Sequence, residues 1–233
     1  MILALLLLQE IVAHRGASHD APENSLEAFR LGWTQADANE LDVHLSRDGR
    51  LVVIHDASTK RTTKVDKPVV EQTAAELKAL GVPSLEEVVA DIPAGKRLFI
   101  EIKCGAEALP ELARVLKDRP PERFALIAFN ADTLGQAKKL LPAIPAYWLA
   151  GYKAETKLED LLAKAKAGGL DGLDLNHQFP IDAAFVKKAR DAGLKLHVWT
   201  VNDPGIARRL AAAGVDGLTT DRPAWLRARL LDR

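Results

Sequence analysis

Three side chains that could act as acids, bases or metal ligands occur at alternate positions of one short stretch: Glu40, Asp42 and His44. The residues between and after them are apolar: Leu41, Val43 and Leu45. Because successive side chains of a β-strand point to opposite faces, this pattern predicts a strand with one apolar face and one face of ionisable groups. Two carboxylates about 4 Å apart would repel by about 4 kcal/mol at an effective dielectric constant of about 20. Such a pair requires a proton, a cationic side chain or a metal ion beside it.

A second histidine follows on what the sequence predicts to be the return strand of a hairpin. Asp48 and Gly49 provide turn chemistry, and the apolar run 51–54 then ends in His55 and Asp56. The hairpin is therefore expected to bring His55 near the two carboxylates.

Strand and helix patterns alternate along the rest of the chain. The predicted strands are 11–13, 39–45, 97–102, 124–128, 146–149, 172–175, 195–200 and 217–220. The predicted helices are 25–34, 74–80, one that opens at Ser84 with a capping box, 106–117, 131–141, 158–167, 182–192, 204–213 and 223–231. Eight strand–helix pairs predict an α/β fold, a single TIM (β/α)8 barrel with a short hairpin extension after the second strand. An open doubly wound sheet is the alternative, but no glycine-rich phosphate loop follows any predicted strand.

Length, charge and cysteine content exclude several classes of function. The chain has 233 residues, of which 48% are hydrophobic, and one TIM barrel commonly has this length. Lysine plus arginine and aspartate plus glutamate both total 32, and no run combines basic with aromatic residues, so we expect no nucleic-acid partner. The single cysteine, Cys104, excludes an intramolecular disulfide and a multi-cysteine metal site.

Residues 1–8 are apolar throughout and allow two interpretations, a signal-peptide remnant or an apolar lead-in that packs on the barrel. A signal peptide usually carries a basic residue before its apolar core, and none occurs here. Residues 1–10 are therefore either an apolar lead-in or a signal remnant before a domain at 11–233, and the cytoplasm is slightly favoured while export stays open. No segment approaches the roughly 20 apolar residues of a membrane span, so we expect no stable membrane anchor.

Polar residues recur where the predicted strands end, which is where TIM barrels carry their active sites. His14 and Arg15 follow the first strand. Glu101 and Lys103 come at the end of the 97–102 strand and, being two residues apart, share a face. Together with the carboxylates of the second strand, these residues predict an active site at one rim of the barrel.

Several segments resemble, in order and spacing, those of the glycerophosphodiester phosphodiesterase family: HRGASHDAPEN, ELDVHLSRDGRLVVIHD, EIK, HVWTVND and VDGLTTDRP. The resemblance extends over nearly the whole chain and implies that residues 11–233 form one barrel of this family. It also implies a metal-dependent phosphoric diester hydrolase. Its substrate would be a small-molecule glycerophosphodiester, cleaved to glycerol 3-phosphate and an alcohol.

The resemblance implies that Glu40, Asp42 and Glu101 bind one divalent cation. Three carboxylates select hard ions, so Mg²⁺ or Ca²⁺ is expected rather than Zn²⁺. From charge alone a second arrangement is equally open, in which the same carboxylates form a salt-bridge network with Arg15 and Lys103.

The resemblance also implies roles for the remaining site residues. His14 and His55 would be the acid/base pair, with the neighbouring glycerol hydroxyl attacking phosphorus to give a cyclic phosphate that water then opens. Arg15 and Lys103 would offset the charge that builds on the phosphoryl oxygens. Trp199 would pack against the glycerol backbone.

Other interpretations stay open on sequence grounds. The substrate could instead be a lysophospholipid, as for a lysophospholipase D, or the barrel could bind a phosphorylated ligand without cleaving it. Whether His44 contacts substrate is also open, and nothing in the sequence indicates an oligomeric state. Asn39, a polar residue in a buried strand, is expected to point away from the carboxylates and to need a hydrogen-bond partner.

Overall fold

The computed structural model describes residues 9–231, and the two interpretations of residues 1–8 concern a segment outside that range. Its strands are β1 (Glu10–Ala13), β2 (Ala38–Leu45), β3 (Leu51–Val53), β4 (Arg97–Ile102), β5 (Phe124–Ala128), β6 (Ala146–Ala150), β7 (Gly172–Asn176), β8 (Lys195–Trp199) and β9 (Gly217–Thr220). Eight of them form a parallel sheet in the order β1-β2-β4-β5-β6-β7-β8-β9, which closes because β1 pairs with both β2 and β9. The predicted TIM barrel is confirmed, and β3 is the predicted extension, paired antiparallel with the outer end of β2.

Helices connect the strands and cover the outside of the barrel. They are α1 (Leu26–Gln35), α2 (Lys60–Thr63), α3 (Ala74–Ala79), α4 (Leu85–Ala90), α5 (Leu109–Leu116), α6 (Ala131–Leu140), α7 (Leu158–Ala167), α8 (Ala183–Asp191), α9 (Pro204–Ala213) and α10 (Pro223–Leu231). The predicted 106–117 helix is divided, because a 3-10 turn (Ala106–Ala108) precedes α5, in which Pro110 occupies the first turn. The sequence analysis missed α2, a single turn in the connection after β3. Among residues 9–231, no helix has the length and apolar content that crossing a bilayer requires.

The barrel has an outer and an inner core, as alternation along each strand requires. Outward-facing residues such as Ile11 and Leu41 pack under the helices in the larger core. The inner core is smaller and contains Val12, Ala38, Phe99, Ala125, Ile127, Tyr147 and Leu149.

An aromatic layer, defined here as Phe99, Tyr147 and His197, fills the interior of the barrel below the carboxyl ends of the strands. The His197 ring stacks on Tyr147 at 4.7 Å between centroids and meets Phe99 edge-on at 5.2 Å. All three side chains are at most 2% exposed. Burial lowers the pKa of His197 to about 3, so this histidine is a neutral packing residue.

Asn39 behaves as the sequence predicts. Its side chain points outward from β2, away from the carboxylates, and its Nδ2 donates a hydrogen bond to the Phe29 carbonyl at 2.9 Å. The side chain thereby ties β2 to α1, the helix that follows the His14 loop.

A close approach between β7 and β8 requires glycine at position 172. A Cβ atom built there would lie 2.2 Å from the Lys195 carbonyl oxygen, which is backbone and cannot rotate away. We predict that Gly172→Ala lowers the free energy of unfolding by about 2 kcal/mol, because the two strands must move apart. Urea unfolding measures this. Gly151→Ala is the control, since a Cβ there meets no atom within 4 Å, and equal losses in the two variants would contradict the assignment.

Candidate active site

A cavity of about 280 Å³ opens at the carboxyl ends of the strands. Its lining consists of His14, Arg15, Glu40, His55, Glu101, Lys103, Ile127, Phe129, Leu149, Asp174, Trp199, Thr200 and Thr219. Seven of the eight predicted site residues are in this set. The eighth, Asp42, lies directly behind it and belongs to the same cluster of carboxylates. The structure therefore brings all of the predicted residues to one place.

Three carboxylates converge at this cavity from two neighbouring strands. Glu40 and Asp42 come from β2 and Glu101 from β4, where Asp42 and Glu101 are directly paired in the parallel ladder. One oxygen from each lies within 4.8 Å of the others, and the three residues are 3%, 0% and 8% exposed, respectively. Their repulsion is weakly screened by water at this depth, so the cluster requires compensating positive charge.

Two basic side chains supply part of that charge. Arg15 Nε lies 3.2 Å from Asp42 Oδ2, and Lys103 Nζ lies 2.9 Å from Glu101 Oε1 and 3.7 Å from Asp42 Oδ1. The salt-bridge network considered as an alternative is thus present. It pairs two cations with three carboxylates, and within residues 9–231 Glu40 receives a hydrogen bond only from the Arg15 backbone N–H, at 2.9 Å.

The protonation of the cluster reflects this deficit. Burial, and after it the charges of Asp42 and Glu101, raise the pKa of Glu40 well above its usual value. Burial and the Asp42 charge likewise raise the pKa of Glu101 to about 7. Burial would also raise the pKa of Asp42, but Arg15 and Lys103 hold it below its ordinary value. The cluster offers only oxygen donors and has one more negative charge than its neighbouring cations neutralise, which suits a hard divalent cation. The buried Asp42 Oδ1 also has no hydrogen-bond partner among residues 9–231, so it is available as a ligand atom.

The turn after β1 places His14 and Arg15 in the lining of the cavity. Arg15 and Gly16 have φ angles of 54° and 79°, in the left-handed region. A Cβ at Gly16 would lie 2.6 Å from the backbone of Ala28 in α1, so only glycine fits. This tight turn allows the Arg15 backbone to reach Glu40 while its guanidinium reaches Asp42.

Asn24 and Ser25, adjacent at the start of α1, have different roles. Ser25 caps α1, with its Oγ accepting from the Ala28 backbone N–H at 3.1 Å. Asn24 is 4% exposed and donates through Nδ2 to Asp42 Oδ2 at 2.8 Å. The asparagine therefore orients a carboxylate of the cluster.

His14, which follows the first strand, is held by a carboxylate that follows β9, the last strand and the neighbour of β1 in the closed barrel. Its Nδ1 lies 2.6 Å from Asp221 Oδ1, just after β9. Asp221 also accepts from Asn202 Nδ2 and from Ser18 Oγ, at 2.5 and 3.3 Å. Burial would raise the pKa of Asp221, but the hydrogen bonds from His14, Asn202 and Ser18 bring it down to about 2. An ionised Asp221 fixes the ring of His14 with Nδ1 turned away from the cavity.

His55 has an equivalent arrangement with its own neighbour. Its Nδ1 lies 2.6 Å from Asp56 Oδ1, and Arg61 of α2 binds the other oxygen of Asp56 at 2.6 Å. That hydrogen bond from Arg61, together with the one from His55, lowers the pKa of Asp56. Arg61 also contacts Glu23 at 2.7 Å, and Glu23 contacts Arg15 at 3.0 Å. A continuous chain of ion pairs therefore joins the second histidine to the arginine of the acidic cluster.

His44 does not line the cavity. Its Nε2 lies 3.0 Å from the carbonyl oxygen of His55, so it supports the backbone of that residue. Burial lowers the pKa of His44, which favours a neutral ring that donates to the carbonyl.

Two aromatic residues form one wall of the cavity mouth. Trp199 donates from Nε1 to the Asp174 carbonyl at 3.1 Å, which fixes its indole. Phe129 meets the Trp199 ring edge-on at 5.6 Å and is 47% exposed. Lys103 Nζ lies 5.8 Å from the centre of the Phe129 ring.

No role was predicted from the sequence for five residues that shape this site: Asn24, Asp56, Arg61, Asp174 and Asp221. Asn24, Asp56 and Asp221 lie inside the segments that carry the family resemblance, which could have marked them as candidates. The sequence does not show which residues they contact. Arg61 lies in a connection that reads as polar, and Asp174 lies in a buried strand without any motif. Their roles depend on contacts between residues far apart in the chain.

Residues from seven different strands thus meet at the carboxyl end of a closed parallel barrel, as in TIM-barrel enzymes. Comparison with known proteins gives the family. The Glycerophosphoryl diester phosphodiesterase family model matches residues 14–225. A glycerophosphodiester phosphodiesterase from Caldanaerobacter subterraneus subsp. tengcongensis is 33% identical over 241 residues, covering 93% of this chain and 95% of the relative.

Solved structures agree with the sequence comparison. A glycerophosphodiester phosphodiesterase from Thermotoga maritima superposes with a TM-score of 0.83 at 29% identity, covering 93% of this chain and 96% of the other. A phosphodiesterase from Oleispira antarctica, solved in complex with the product sn-glycerol-3-phosphate, gives a TM-score of 0.84 at 28% identity, covering 97% and 98%. The chain belongs to the glycerophosphoryl diester phosphodiesterase family and is a phosphoric diester hydrolase.

The buried carboxyls predict an unusual dependence of stability on pH. The pKa of Glu101 is higher in the folded protein than in the unfolded chain, so this residue favours folding while protonated, and that contribution is lost as pH rises through about 7. We expect the chelator-treated protein to lose about 3 kcal/mol of unfolding free energy between pH 5 and pH 8. Urea unfolding at these pH values, in wild type and in Glu101→Gln, measures the effect. A wild-type stability that rises with pH over this range would contradict the description of the cluster.

Proposed function

We propose that this protein hydrolyses glycerophosphodiesters to sn-glycerol 3-phosphate and an alcohol, using a divalent cation and two histidines. One observation carries the proposal: two histidines, each fixed through Nδ1 by its own carboxylate, line the same cavity as a cluster of three carboxylates short of one positive charge. Family membership and the product complex of the Oleispira relative support the substrate class.

Glu40, Asp42 and Glu101 would hold the cation, and Mg²⁺ or Ca²⁺ suits their oxygen ligands. When bound, the ion supplies Lewis-acid stabilisation of the negative charge on the phosphoryl oxygens. Arg15 and Lys103 already contact these carboxylates and also line the cavity, so they remain near the phosphate and share that task. The raised pKa of Glu40 and of Glu101 means that cation binding displaces protons from the cluster.

The histidines would exchange protons with substrate through Nε2. A neutral imidazole that donates its Nδ1 proton to a carboxylate leaves Nε2 as an acceptor, and the carboxylate stabilises the ring when it becomes charged. One histidine would take the proton of the glycerol hydroxyl next to the phosphate as its oxygen forms a bond to phosphorus. The other would give a proton to the alcohol oxygen as its bond to phosphorus breaks. In the second step water opens the cyclic phosphate, and the two histidines reverse their roles.

Trp199 would contact the glycerol portion of the substrate. Its ring lines the cavity beside Phe129, at an orientation set by its hydrogen bond to the Asp174 carbonyl. An aromatic face against the carbon atoms of glycerol leaves the hydroxyls free for polar partners.

Release of sn-glycerol 3-phosphate from glycerophosphocholine tests the reaction and the cation requirement together. We expect chelator to abolish turnover, because three carboxylates that Arg15 and Lys103 compensate only in part repel the phosphate, and Mg²⁺ or Ca²⁺ to restore it. Product formation measured in a coupled assay gives the result. Full activity after complete metal removal would contradict the metal site. A well-folded, metal-loaded protein that binds glycerol 3-phosphate without cleaving the diester would favour the binding-only alternative.

Substitution of the two histidines tests their proposed roles. His14→Ala and His55→Ala should each lower kcat by at least about 100-fold, since each removes a positioned proton donor or acceptor. Asp221→Asn should lower kcat less and leave metal affinity unchanged, because the ring stays but its orientation is lost. Steady-state kinetics with a parallel metal titration give these values. His19→Ala is the control, since His19 is exposed and does not line the cavity, and turnover retained in either catalytic variant would exclude the acid/base assignment.

A further inference from the structure

One carboxyl at the bottom of the cavity has no part in the chemistry described so far. Asp174 is 2% exposed, lines the cavity, and lies two residues before the end of β7, deeper in the barrel than His14, His55 or Lys103. Its Oδ1 is buried without a hydrogen-bond partner, and no side-chain hydrogen bond or ion pair to Asp174 is found within residues 9–231.

Such a group is costly to the protein. A buried polar atom without a partner loses its hydration and gains nothing in exchange, and the large majority of buried polar groups avoid this. Asp174 also lies outside the cluster of three carboxylates that can share a cation. A group that is unpaired in the free protein and faces the substrate cavity is suited to pair with the substrate.

The surroundings of Asp174 narrow the choice of partner. The uncharged residues that line the cavity with Asp174 include Ile127, Leu149 and Thr219, whereas the cationic lining residues Arg15 and Lys103 contact the carboxylate cluster instead. A phosphate would therefore bind higher, beside Arg15 and Lys103, with the carbon chain of its glycerol reaching down. A hydroxyl is the substrate group that can donate a hydrogen bond to a carboxyl oxygen at this depth.

We propose that Asp174 accepts a hydrogen bond from the terminal hydroxyl of the glycerol, the one two carbons away from the phosphate-bearing carbon, and thereby determines substrate specificity. This inference rests on the proposed function. The carboxyl oxygen can accept this bond whether or not the group is ionised. A substrate that lacks this hydroxyl leaves Asp174 unpaired and also loses the hydrogen bond, so the site discriminates strongly against it.

The same contact excludes lysophospholipids acylated at that position. An ester oxygen has no proton to donate to Asp174, and the acyl chain would have to pass through the closed floor of the cavity. The enzyme is therefore selective for deacylated glycerophosphodiesters, which must be supplied by a reaction that removes both acyl chains from a phospholipid.

The test compares two substrates that differ by one hydroxymethyl group. These are glycerophosphocholine and 2-hydroxyethyl phosphocholine, the diester of ethylene glycol, which keeps the attacking hydroxyl and lacks the terminal one. Wild type should prefer glycerophosphocholine in kcat/KM by about 10–100-fold. Asp174→Leu should lose this preference through a higher KM for glycerophosphocholine, with little change for the ethylene glycol diester. Asp174→Asn, which keeps an acceptor oxygen of similar shape, should restore most of the preference.

Further readouts separate specificity from structure. The metal titration of Asp174→Leu should match wild type, and its Tm without ligand should be equal or higher, because an unpaired buried carboxyl has been removed. Equal losses on both substrates, a weakened metal affinity, or a wild type without preference between the two diesters would each overturn the inference. The last result needs no variant, so it applies even if Asp174→Leu fails to fold. If wild type cleaves neither diester, the proposed function has failed as well.

Discussion

The crowding of three carboxylates inside the barrel is the constraint on which the rest of the site depends. Glu40, Asp42 and Glu101 share a space in which their charges are poorly screened. Arg15, Lys103 and a hydrogen bond from Asn24 compensate part of this negative charge. Two positive charges face three carboxylates, so the compensation falls short by one charge. That deficit would favour a bound cation, and together with burial it raises the pKa of Glu40 and of Glu101.

The two histidines are positioned by different means that converge on the same geometry. Asp221 reaches His14 across the seam where the last strand meets the first, so barrel closure itself orients that ring. Asp56 is the neighbour of His55 and is held by Arg61, which continues through Glu23 to Arg15. Arg61 is about half exposed, so these ion pairs contribute little to stability and act mainly on orientation. Side chains from the three connections that follow β1, β3 and β9 are thereby kept in one arrangement around the cavity.

The sequence predicts the barrel well because alternation and helix capping are local signals. The capping box at Ser84 and Glu87 and the paired Glu40 and Asp42 appear in the structure as expected. What could not be predicted depends on contacts between distant segments. Arg61 gains its role only because the connection after β3 folds back on the loop of Glu23. In the sequence Asp174 looks like an ordinary strand residue, and only the closed barrel shows that its Oδ1 is buried without a hydrogen-bond partner from residues 9–231.

The aromatic layer of Phe99, Tyr147 and His197 determines at which end of the barrel molecules can enter and leave. It seals the barrel beneath the cavity floor, so nothing passes from one end of the barrel to the other. Molecules must therefore enter and leave at the carboxyl end of the barrel, where Phe129 and Trp199 form one wall of the cavity mouth. A bound molecule has to depart by the route it entered before another can be admitted, which makes clearance of the cavity mouth a natural limit on how fast the enzyme can cycle.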